Sequence, residues 1–103
     1  MKLNGKPVKI FLADFPAGVH GICSQDERFF FIGINEGLPR ADQLRSLAHE
    51  VAHIMAGRLD RGGDPAALEA EARAMAAGIL EGRCDQLREE IEKAALFRNG
   101  CLS

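Results

Sequence analysis

The chain has no Trp, no Tyr and only three cysteines among its 103 residues. Cys23, Cys84 and Cys101 are odd in number and widely spaced, and no CxxC pair occurs. That excludes a zinc ribbon or a redox dithiol and leaves free thiols in a reducing compartment as the expectation. No apolar run approaches the ~20 residues that span a bilayer. The opening "MKLNGKPVKIFLADF" lacks the apolar stretch of a secretion signal. The expectation is a cytoplasmic chain with no membrane partner. Long basic runs are missing as well, and the net charge is −2. Direct nucleic-acid binding, which leans on clustered Lys and Arg, is therefore disfavoured. What is present suits one small domain over residues 1–103, being 47% hydrophobic and 27% charged. A chain this short buries a modest core, so a bound ion would add useful stability.

The first third reads as strands. "VKIFL" at 8–12, "GICS" at 21–24 and "RFFFIGIN" at 28–35 are short, apolar and rich in β-branched or aromatic residues. The polar "SQDE" between the last two predicts a hairpin with a loop of about four residues. The remainder reads as three helices. Residues 38–57 have Pro39 at the mouth and Gly57 at the end; residues 64–82 open with Asp64 as N-cap and Pro65 behind it; residues 84–97 form a third amphipathic run. On that last run Leu87, Ile91, Ala94 and Ala95 share one face, which is expected to close the core, and the tail after Phe97 is expected to be loose. The fold class is α+β: a hairpin-based antiparallel sheet packed on helices.

The stretch "SLAHEVAHIMAG", residues 46–57, places His49, Glu50 and His53 on one helix. A helix turns about 100° per residue, so residues four apart lie within about 40° of each other. The two imidazoles project side by side, able to share one metal ion, and Glu50 on their flank can reach a water on that ion. Leu44, Leu47, Ala48, Val51, Ile54 and Met55 gather on the other face, which is expected to pack on the sheet. Two His and a Glu in this register arise by chance in roughly one of several hundred chains of this size.

A catalytic zinc site needs a third protein ligand and one open position. Cys84 sits near a helix junction with no motif around it, and His20 is a possibility. Glu69 and Glu71 in "LEAEARAMA", residues 68–76, are the better candidates. They lie about 200° apart on a helix, so only one can face the histidines. Glu69 has Arg73 four residues on as a natural ion-pair partner. Glu71 shares its column with Ala67, Leu68 and Met75, and an acid in an apolar stripe calls for a strong partner. Glu71 is the expected third ligand.

The order of hairpin, "AHEVAH" helix, short loop and "EAEARAMA" helix resembles the ImmA/IrrE family of metallo-endopeptidases, small zincin-type domains. Their second motif is typically E-x-E-A-N-x-F-A; here it runs from Glu69 to Ala76, with Arg73 for the Asn and Met75 for the Phe. "GVHGICSQDERFFFIGINEGLP" is similar to the family's hairpin and its Ile-x-Asn turn. The resemblance covers roughly residues 15 to 80. It implies a small zincin-like fold and a Zn²⁺ held by His49, His53 and Glu71, the glutamate before the motif's Ala. It implies Glu50 as the catalytic base and a protein substrate, often a transcriptional repressor of a mobile element. With no Tyr in the chain, His20, Arg45 and Arg73 are the available groups to steady a developing oxyanion. A zinc-stabilised module that binds a regulator without cutting it is the alternative.

Overall fold

A computed structural model of the protein describes residues 1–57 and 65–102. The expected N-cap Asp64 and the "RLDRGG" loop lie outside the described residues, as do the side chains of Pro65, Leu68 and residues 97–102, Cys101 among them. Four strands come first: β1 (Lys2–Leu3), β2 (Lys6–Ala13), β3 (Gly21–Gln25) and β4 (Phe30–Asn35). Two helices follow, α1 (Arg40–Met55) and α2 (Pro65–Leu102).

The sheet runs in the order β1-β2-β4-β3. β3 and β4 form the expected antiparallel hairpin, with Gln25 opposite Phe30 and a four-residue loop between them. Asp26 shapes that loop. Its Oδ1 accepts from the backbone N–H of Arg28 at 2.8 Å and of Phe29 at 2.7 Å. Those two donors hold the Asp26 carboxyl below its ordinary value. Arg28 and Phe29, read as strand from their composition, therefore sit in the turn.

Two features differ from the sequence reading. β1 pairs with β2 through a two-residue turn at Asn4 and Gly5, both at positive φ (51° and 79°). This is the geometry that Asn-Gly favours between paired strands. β2 and β4 then pair in parallel, Val8 beside Phe30 through Ala13 beside Asn35. β4 is thus central, and Ile32 and Ile34 on it are fully buried.

α1 starts after Pro39, whose carbonyl accepts from Asp42 and Gln43, and ends at Gly57 in the left-handed region (φ 71°). Gly57 donates to Ile54 O, closing the helix end as expected. The helix packs on both the sheet and α2, which itself packs on β2, and it buries Leu44, Leu47, Ala48, Val51, Ala52 and Ile54. Met55, expected on the buried stripe, stands 36% exposed in the last turn.

The two later helices of the sequence reading are the two limbs of α2, divided where that reading divides them, at Arg83, whose backbone is not helical (φ −131°, ψ 24°). Arg83 falls in step between buried Ile79 and Leu87, yet it is exposed. A cation in the apolar stripe costs too much to bury, and the chain leaves helical geometry there. Beyond it Leu87, Ile91 and Ala94 close the core, as their spacing predicts. No helix of the described residues is long and apolar enough to cross a membrane.

Candidate metal centre

The site draws on both helices. α1 supplies His49 and His53, one turn apart. Their rings stand nearly perpendicular (80°) with centroids 4.6 Å apart, and the two Nε2 atoms approach to 3.0 Å. α2 supplies Glu69 from its first turns. One carboxylate oxygen lies 3.2 Å from His49 Nε2 and the other 3.2 Å from His53 Nε2.

These separations suit a metal ion. Four ligands at about 2.0–2.1 Å around tetrahedral zinc stand about 3.3–3.4 Å from one another. The two Nε2 atoms, 3.0 Å apart, come near that figure, each has its own Glu69 oxygen at 3.2 Å, and one ligand atom from each of the three residues lies within 4.8 Å of the others. The donor chemistry agrees, since two imidazole nitrogens and a carboxylate form a donor set that can hold a divalent cation. His49, His53 and Glu69 form the group able to hold an ion among the described residues.

The third member is therefore Glu69, and the expected ligand Glu71 is not in the group. Glu71 is exposed, on the other side of the helix. The difference traces to where the apolar stripe of α2 is centred. The sequence reading put it on Ala67, Leu68, Glu71 and Met75. In the structure Ala72 and Ile79 are buried, Ala76 packs beside them, and Met75 is 40% exposed. Measured from Ala72, Glu69 lies about 60° to one side and Glu71 about 100° to the other. Glu69 therefore flanks the stripe where α1 presents its histidines. It meets them rather than Arg73, its expected partner.

Glu50 opens on the same cleft and is 8% exposed. Beneath it is the inner face of β3. A Cβ on Gly21 would stand 3.5 Å from Glu50 Cγ, ordinary contact, and 3.1 Å from Gly33 O and Ile34 Cδ1, so the glycine eases the close approach of β4 while lying next to the acid. Cys23, two residues along on the same face, donates its thiol hydrogen to the Glu50 carboxylate. Burial, that hydrogen bond and the Glu50 charge, in that order, push the Cys23 thiol far above its ordinary value. Neither Gly21 nor Cys23 stood out as a site residue in the sequence. The period-2 alternation of β3 was the available signal, since it places both on one face.

The cleft has a volume of about 610 Å³, and His20, Arg45 and Arg73 all line it. The loop bearing His20 is fastened to β4 by Asn35. The Asn35 Nδ2 donates to Val19 O at 2.9 Å and Phe15 O at 3.4 Å, and its backbone N–H donates to His20 O at 2.9 Å. Cys23 and Cys84 are both free thiols.

Residues 4–93 match the family described as the IrrE N-terminal-like domain, a peptidase family. No curated protein and no solved structure is matched by the chain.

Proposed function

Because this chain belongs to the IrrE N-terminal-like domain family of peptidases, we propose that it is a zinc-dependent endopeptidase acting on a specific regulatory protein. The observation that carries this reading is the meeting of His49, His53 and Glu69 in one cleft with the buried acid Glu50. The three ligands would hold Zn²⁺. When bound, the ion lowers the pKa of a water toward about 7 and polarises a carbonyl.

The chain's own residues supply the rest. Glu50 takes the proton of the attacking water and returns it to the leaving amine. The hydrogen bond from Cys23 helps to hold its carboxylate in place. His20, on the strand side of the cleft, is the group suited to donate to the developing oxyanion, a role a Tyr cannot fill here. β3 is an edge strand whose Gly21 end lines the cleft. An extended substrate segment adds to that edge through main-chain hydrogen bonds. The proposed substrate is a protein such as a mobile-element repressor, and the proposed location is the cytoplasm.

The test is Glu50→Gln in untagged protein, challenged with a candidate repressor. The reading expects zinc content unchanged and the discrete fragment lost. Wild-type protein that binds zinc and the regulator but yields no fragment would be a zinc-stabilised binding module instead.

A further inference from the structure

The cleft continues between α1 and α2 into a smaller, mostly apolar pocket of about 280 Å³. Ala48, Ala76, Ala77 and Leu80 form its walls, His49 borders it on the metal side, and Arg45 and Arg73 border both it and the main cleft. The volume lies just under the ~300 Å³ lower end of small-molecule sites and has room for an aliphatic side chain.

Helical spacing fixes the two arginines relative to the metal centre. Arg45 precedes His49 by four residues and Arg73 follows Glu69 by four. Each is therefore about 6 Å along its helix from a ligand. That distance is one to two residues of extended peptide at about 3.3 Å each.

The charges on these arginines are weakly engaged. Arg45 pairs with Asp42 at 3.0 Å, but its side chain is 67% exposed, and exposed pairs contribute little. Arg73 has no ion-pair partner among the described residues. Glu69, one turn away on its own helix, is turned to the imidazoles. Two guanidinium groups thus stand at the lip of an apolar pocket in a chain whose net charge is −2. The positive field is local, and it sits where a substrate must pass.

We propose that this pocket is a substrate subsite that seats an aliphatic side chain between the two helices, while Arg45 and Arg73 bind a carboxylate on an adjoining residue. The preferred substrate carries an acidic residue next to an aliphatic one, within two residues of the scissile bond. The proposal rests on the peptidase reading for its link to cleavage, but the binding it describes does not require turnover.

The test uses zinc-loaded Glu50→Gln protein and two capped tripeptides, Ac-Glu-Leu-Glu-NH2 and Ac-Gln-Leu-Gln-NH2, titrated by NMR. The acidic peptide is expected to bind about fivefold tighter at low salt, a ratio in keeping with two exposed charge contacts. The methyl signals of Ala48, Ala76 and Ala77 should shift, and the preference should shrink as salt is raised. Adding Arg45→Gln and Arg73→Gln should bring the ratio to about one, and adding Ala77→Phe instead should abolish binding by filling the pocket. Equal affinity for the two peptides, shifts confined to other surfaces, or no binding of either peptide would each overturn the subsite. None of those results bears on whether wild-type protein cuts a repressor, so the two readings fail separately.

Discussion

Gly21 lies against Glu50: a Cβ at Gly21 would stand 3.5 Å from Glu50 Cγ and 3.1 Å from the backbone oxygen of Gly33. The contact with Glu50 is an ordinary van der Waals distance, whereas Gly33 O and Ile34 Cδ1, both at 3.1 Å, are tight, so a side chain here is crowded first by β4 and reaches the acid of α1 only through atoms beyond Cβ. Gly21→Val should cost about 1–3 kcal/mol of stability, as overpacking does. It should also push the Glu50 carboxylate off its line to the metal centre. Cleavage is expected to fall far more than zinc content, read by peptide hydrolysis beside metal analysis. A loss of both in proportion would mean that Gly21 matters only for folding.

Cys23 makes an alkaline prediction. Its folded thiol keeps a proton that the unfolded thiol releases above its ordinary value of 9.0. The associated stability is complete below that pH and declines as pH rises beyond it. Thermal midpoints measured from pH 8 to 10.5 should fall more steeply for wild type than for Cys23→Val. At pH 8 a disulfide reagent should modify Cys23 slowly in the folded chain and quickly after unfolding. Parallel midpoint curves would show that the thiol is not held protonated.

Asn35 ties the loop carrying His20 to the end of the sheet. Its side chain serves Val19 O and Phe15 O as donor and accepts from Gly37 N at 3.0 Å. Asn35→Ala leaves those groups without their partner and should cost about 1–3 kcal/mol. In a domain of this size that lowers the melting midpoint by roughly 4–8 °C per kcal/mol. A shift below 2 °C, on the order of a surface substitution, would contradict the role given to Asn35.

Zinc should stabilise as well as activate. An ion at one hundred times its dissociation constant adds about 2.7 kcal/mol to a folded chain that binds it. Stripping it with a chelator should therefore lower the midpoint by roughly 10–20 °C. Returning zinc should restore it. The Glu50→Gln variant should respond as wild type does, because Glu50 is not a ligand.

The sequence was most legible where the chemistry is local. His49, Glu50 and His53 lie within one turn and a quarter of helix, so spacing alone sets their relation. The hairpin of β3 and β4 and the capped ends of α1 were readable for the same reason. The third ligand was not, because Glu69 and Glu71 differ only in which way α2 is rolled. That roll depends on burying Ala72 and Ile79 against other elements. Parallel pairing of β2 with β4 joins segments far apart in the chain and leaves no local mark. β1 did leave one, in Asn4-Gly5, but two residues of strand are too few for an apolar pattern. The break between residues 64–82 and 84–97 was readable too, and the backbone leaves helical geometry there, at Arg83.

The most direct measurement of the central claim is the zinc content of untagged protein purified without added metal, set beside Glu69→Ala and Glu71→Ala. About one zinc per wild-type chain is expected, with near-wild-type content in Glu71→Ala and a loss of tenfold or more in affinity for Glu69→Ala. No zinc in the wild type, or a loss that follows Glu71 while sparing Glu69, would contradict it.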